Sequence, residues 1–171
     1  MQRLSEAYAR LLDAMLLAAC ALLLGITLLI GLDVLLRNVG LGGIPPSNEL
    51  SEDALYLITI LAAPALLRRG QHIRIDILLR AIPPRTAWLM EWFGDLVGIA
   101  CCLCFVWYGV RVTVASYAAG SLSIKTLIMP EWWIFAPMPL CFLMVAVEFV
   151  FRMRLLAHSP RGPRAEAVSA S

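Results

Sequence analysis

The sequence predicts an all-α membrane protein with four transmembrane helices, a short amphipathic interfacial helix between the second and third, and both termini cytoplasmic. Three observations predict it. Hydrophobic residues make up 61% of the chain and charged residues 15%, with a mean hydropathy of +0.81, which lies outside the range of an ordinary soluble domain. Four stretches reach or approach the roughly 20 apolar residues that a helix needs to cross a bilayer. The basic residues fall on one side of that even-numbered set. Arg3 and Arg10 precede the first span, Arg68, Arg69, Arg74, Arg80 and Arg85 lie between the second and third, and Arg152, Arg154, Arg161 and Arg164 follow the fourth. Short loops rich in Lys and Arg are retained in the cytoplasm.

The first span is expected over residues 11–32. Leu17-Ala18-Ala19-Cys20 resembles the site at which exported lipoproteins are cut, but the apolar run continues to Leu32, whereas a processed precursor turns polar after its cleavage site. Asp33 and Arg37 follow at i, i+4, a spacing that needs no role beyond local pairing.

The second span is expected over 50–67. Its uncharged part, Ala54 to Leu67, covers only about 21 Å as helix against a hydrocarbon core of about 30 Å. Glu52 and Asp53 are therefore expected at or below the membrane surface, on one face with Glu49. Pro45-Pro46 ends the preceding loop, Ser47 or Asn48 is a candidate cap, and acids in the first turn suit the helix dipole. Carboxylates this deep usually face protein or water, so Glu49, Glu52 and Asp53 are partner-contact candidates.

In the segment Leu67 to Arg85, Ile75, Leu78, Leu79 and Ile82 recur at helical spacing with Asp76 and Arg80 on the other side. A helix over residues 73–82 lying in the cytoplasmic interface satisfies its own backbone there, and a lone five-residue strand does not. Its arginines would meet anionic lipid headgroups. Pro83-Pro84 closes it.

The third span is expected over 88–108, with Trp88 and Trp92 marking one interface and Trp107 and Tyr108 the other. Glu91 and Asp95 share a face near its start. Gly94 and Gly98 stand at the spacing that lets membrane helices approach closely. Cys20, Cys101, Cys102, Cys104 and Cys141 all lie inside spans with no nearby His, so they read as polarizable packing residues. The fourth span is expected over 132–151, with Glu148 and Arg152 near its end as a second i, i+4 pair. Residues 157–171, rich in Ser, Pro, Arg and Ala, have the composition of a disordered cytoplasmic tail.

Arg68-Arg69-Gly70-x-His72-Ile73-x-Ile75-Asp76, followed by Pro83-Pro84 and preceded by a short span opening at Glu49, resembles the small membrane subunit (DctQ-like, Q subunit) of tripartite ATP-independent periplasmic (TRAP) transporters. The similarity runs over roughly residues 11–156. It takes in Arg37 after the first span, Trp107-Tyr108-Gly109 at the end of the third, and Leu127-Ile128-x-Pro130-x-Trp132 leading to Pro139. The chain departs from the family where Trp-x-Glu-Glu often precedes the second span: it has Pro46-Ser47-Asn48-Glu49 and keeps only the last carboxylate. Ala62 and Cys141 stand where glycines are usual.

The resemblance implies a small accessory subunit in the bacterial inner (cytoplasmic) membrane, not an enzyme, with no cofactor of its own. A large multi-span membrane subunit would carry the substrate and sodium sites, and a periplasmic solute-binding protein would deliver an organic acid or similar carboxylate. Candidate contacts with these partners are Arg37, Glu49, Glu52, Asp53, Arg68, Arg69, His72, Asp76, Gly94 and Gly98, together with a loop from Ser116 to Glu131. Competing classes are a stand-alone membrane scaffold or assembly protein, which would look the same in isolation, and a small membrane redox enzyme, which would carry cysteine pairs in its periplasmic loops.

Overall fold

The computed structural model describes residues 2–69, 83–124 and 128–158. Its helices are α1 Gln2–Asn38, α2 Ser47–Arg68, α3 Pro84–Ala119, α4 Trp132–Phe135 and α5 Pro137–His158, with strands β1 Leu122–Ile124 and β2 Ile128–Pro130 between α3 and α4. Four stretches, Glu6–Asn38, Ser47–Arg68, Pro84–Ala119 and Trp132–Ala157, are long and apolar enough to cross a membrane. The interfacial helix expected over 73–82 lies outside the described residues, as do His72, Asp76 and the tail from 159 onward.

The helices outrun the apolar stretches that mark them. α1 has 37 residues and α3 has 36, about 55 Å each. α2 has 22, about 33 Å, so it covers the hydrocarbon core once its acidic first turns are counted as helix. Prolines and a glycine set the boundaries. Pro46 occupies the N-cap of α2 without a side-chain cap bond, so neither Ser47 nor Asn48 caps this helix. Pro83 and Pro84 open α3, because a proline at the first helical position forfeits an N–H that had no partner anyway. α3 runs on through Arg111 to Ala119 and stops at Gly120, whose φ of +60° lets its N–H turn back to the Ser116 and Tyr117 carbonyls.

The span from Ser116 to Glu131 is thus not a plain loop. It holds the end of α3 and an antiparallel hairpin in which Leu122 pairs with Pro130, Ser123 with Met129 and Ile124 with Ile128. Three-residue strands are too short for an alternating pattern to be legible in the sequence.

The long helices are ordered α1–α2–α5–α3, each packed on its neighbour. Among the described residues α1 and α3 do not pack along each other, so the four form an open row and not a closed ring. The core sits around α5, where Leu67 of α2, Cys102 of α3, and Val145 and Ala146 of α5 are buried, with half-buried Phe142 and Phe149 packed against them. Each edge helix turns one narrow stripe inward. The buried residues of α1 are Leu12, Ala19, Ile26 and Asp33, and those of α3 past its first turns are Asp95, Cys102, Gly109 and Ser116. Both sets step by one heptad, the repeat that keeps a seam facing a single partner helix. The other faces of α1 and α3 expose large apolar side chains such as Leu17, Leu28, Phe93 and Leu103.

Candidate functional site

Several polar and small residues of this row lie on its seams. Along the α3–α5 seam the two helices run antiparallel, and facing residues follow matched intervals. Asp95 Oδ1 lies 3.7 Å from Arg152 NH2. One turn on, Gly98 meets the Phe149 ring so closely that a Cβ there would stand 2.6 Å from its Cζ. Next, Phe105 and Phe142 stack with centroids 4.6 Å apart, and Gly109 then faces Pro139 and Met138. Arg152 also lies over the Phe149 ring, 5.8 Å from its centroid. The glycine, the ring and the ion pair therefore form one packing unit.

At the end of the row that carries the N-termini of α1 and α3 and the C-termini of α2 and α5, polar contacts tie each helix to the next. Arg69 NH2 reaches Asp13 Oδ1 of α1 at 2.8 Å. Arg68 NH1 lies 3.5 Å from Glu148 Oε1 of α5, and its guanidinium covers the Tyr8 ring of α1 at 5.7 Å. The Tyr8 hydroxyl donates to the Met144 carbonyl at 3.1 Å, so α1, α2 and α5 meet at one junction. Trp88 Nε1 of α3 donates to the Leu156 carbonyl of α5 at 3.4 Å. These contacts differ in weight. The Arg69–Asp13 pair is largely exposed, and such pairs contribute about 0–1 kcal/mol. Glu148 is only 3% exposed, and a carboxylate at such a position is strongly disfavoured without a cation beside it. The i, i+4 pairing of Glu148 with Arg152 is only part of the arrangement: Glu148 also meets Arg68 and Arg152 also meets Asp95, because the facing helices bring those groups within reach.

At the opposite end, Asp33 does hold its local partner. Its Oδ2 is 3.0 Å from Arg37 Nε, and its Oδ1 accepts from the Ile44 N–H at 2.5 Å. Ser47 is buried beside it, and Gly43 passes so near that a Cβ would collide with both Asp33 and Arg37. Asp33 thereby folds the α1–α2 connector back onto α1 and sets where α2 begins. About 20 residues of helix, roughly 30 Å, separate Asp13 from Asp33 on α1 and Glu49 from Arg69 on α2, close to the thickness of a hydrocarbon core. Asp33→Ala is expected to lower stability, since it leaves the Ile44 N–H without its acceptor; an equilibrium unfolding curve in micelles measures this. At the same end of the row, on α3, the Ser116 hydroxyl lies 3.5 Å from Glu131 Oε2, and Tyr117 meets Trp132 edge-on.

The sequence-derived candidates divide among these places. Arg37 joins the Asp33 clamp, and Arg68 and Arg69 belong to the interhelical junctions. Glu49 and Asp53 are half-buried and Glu52 is exposed in the first turns of α2. Gly98 is a close-contact position, whereas nothing stands within 4 Å of a Cβ built on Gly94. The sequence reading missed the connections of Tyr8, Asp95, Phe149 and Arg152. A usable signal was present: in membrane helices small and polar residues mark the packed face, and Asp95, Cys102, Gly109 and Ser116 recur at one heptad in an otherwise aliphatic and aromatic helix.

Compared with known families, the chain matches the family described as tripartite ATP-independent periplasmic transporters, DctQ component, over residues 26–158. The chain belongs to the DctQ family. No curated protein matches it. DctQ is a family of transporter components and not of enzymes, so this is a multi-pass small subunit of a TRAP transporter. The DctQ match takes in the Asp33 clamp, the α3–α5 seam and the Arg68–Glu148 pair. Tyr8 and Asp13 lie ahead of it, so the N-terminal turns of α1 join the DctQ-matched helices through the terminal-end contacts.

Proposed function

We propose that this chain is the accessory scaffold of its transporter, seated beside a large multi-span membrane subunit in the bacterial inner membrane and helping a periplasmic solute-binding protein to dock. The match to the DctQ component over most of the chain carries this reading. The open row agrees with it. The buried carboxylates Asp33, Asp95 and Glu148 each face a guanidinium of the same chain, so these three charges are engaged within the chain and leave solute chemistry to another subunit. Both edge helices present long apolar flanks that a membrane partner or lipid covers equally well.

In this reading the end of the row holding Arg68, Arg69 and Arg152 faces the cytoplasm, where basic residues are retained, and the Asp33 clamp and the hairpin face the periplasm. The acidic first turns of α2 then stand where the docking protein arrives. The solute would be an organic acid or similar carboxylate, driven by a sodium gradient that the large subunit uses. Replacing Glu49, Glu52 and Asp53 together by Ala is expected to weaken co-purification with the large subunit or to lower uptake in a reconstituted system. Unchanged assembly together with unchanged uptake would sink the docking role of this cluster.

A further inference from the structure

A cavity of about 270 Å³ opens between α1 and α2 at the terminal end of the row, lined by Ala9, Leu12, Asp13, Ala65, Arg68 and Arg69. We propose that it binds a phosphate group, either the phosphodiester of an anionic lipid headgroup or free phosphate. The space exists because Ala9 and Ala65 line the gap between the two helices with methyl groups where larger side chains would fill it. Leu12, almost fully buried, supplies an apolar wall of the kind that acyl chains contact. The polar wall is built for an anion. Arg68 and Arg69 are consecutive and both line the cavity, two cationic residues against the single acidic residue Asp13. Each guanidinium carries five N–H donors, of which the contacts to Glu148 and Asp13 take one apiece.

Arg68 is held in place, because it is pinned between Glu148 and the Tyr8 ring. Arg69 is the exchangeable cation: its side chain is 49% exposed and its partner Asp13 is 64% exposed, so an incoming phosphate can take over from that carboxylate. Arg10, exposed one turn from Asp13 on α1, adds positive charge at the same end. Guanidinium groups bind phosphate oxygens through charge-assisted, often bidentate bonds, and basic pockets between membrane helices near the headgroup layer are suited to anionic headgroups. The site is independent of the scaffold reading, since it needs only α1 and α2.

The test uses the full chain, delipidated in detergent and studied by native mass spectrometry. Dioleoyl-phosphatidylglycerol is titrated against dioleoyl-phosphatidylcholine, and inorganic phosphate is titrated separately with melting temperature as readout. Arg69→Gln is expected to weaken phosphatidylglycerol retention about tenfold, the scale of one lost charge-assisted bond, with little change in melting temperature without ligand. Asp13→Asn is expected to strengthen retention, because the competing carboxylate is gone, and phosphatidylcholine should respond to neither change. Retention of phosphatidylglycerol without a phosphate response assigns the lipid headgroup as the source. A saturable phosphate response that Arg69→Gln abolishes assigns the free anion. Equal phosphatidylglycerol retention by the native chain and Arg69→Gln, with no phosphate response, overturns the site, as does weaker retention in Asp13→Asn.

Discussion

Replacing Arg68 by Leu is expected to destabilise the helix row by about 3 kcal/mol, the lower end for removing one partner of a buried ion pair. Glu148 is nearly inaccessible, and it loses the guanidinium 3.5 Å away. The value stays at the lower end because Arg68 is itself about one-third exposed, and Arg152 one turn on still acts on the Glu148 carboxylate. The substitution also removes the cation over Tyr8 and with it one link between α1 and α2. Replacing Arg68 and Glu148 together by Leu is expected to recover most of the loss, since an apolar pair of similar volume leaves no buried charge to compensate. Denaturant unfolding of both variants in micelles, arranged as a double-mutant cycle, reads the coupling directly. A double variant as unstable as the sum of the single changes would show that the junction carries no electrostatic coupling.

The α3–α5 seam yields an equally sharp contrast between two neighbouring glycines. Gly98→Ala is expected to cost about 1–3 kcal/mol, because the new methyl group falls on the Phe149 ring and inserting atoms into a packed contact forces neighbours off their rotamers. Phe149 has little room to give, since the Arg152 guanidinium lies over the same ring. Gly94→Ala meets nothing within 4 Å and is expected to be neutral or to stabilise by up to about 1 kcal/mol, the difference in helix propensity between Gly and Ala. Phe149→Leu, which shortens the facing side chain, is expected to relieve part of the Gly98→Ala cost. Unfolding curves of the three variants and of the Gly98→Ala, Phe149→Leu double variant check this. Equal effects at the two glycines would contradict the seam as described.

These two cases show where the sequence was legible. The pattern Gly94-x-x-x-Gly98 correctly marks a helix that approaches another closely, but the motif treats both glycines alike while the seam uses one. The reason is angular. Gly98 lies one turn beyond Asp95 on the inward heptad flank of α3, and Gly94 lies off it. Asp33 and Arg37 were readable as a pair because one helix fixes both ends of the contact. Glu148 and Arg152 have the same spacing, yet facing helices offer Arg68 and Asp95 as partners. The Asp33 bond to the Ile44 N–H was not readable at all, since it depends on how Gly43 lets the connector fold back. The hairpin was hidden for the simpler reason that its strands are three residues long.

By itself the sequence determined that this chain has four helices long and apolar enough to cross a membrane, roughly where each lies, and that it resembles the DctQ component. Those properties follow from apolar length and local spacing, which a bilayer enforces one helix at a time. Only the tertiary structure decided that the helices stand in an open row with α5 beside both α2 and α3, and which guanidinium serves which carboxylate. Within a span every helix is apolar, so hydrophobicity does not rank its neighbours; close packing at glycines and the matching of buried charges across helices do.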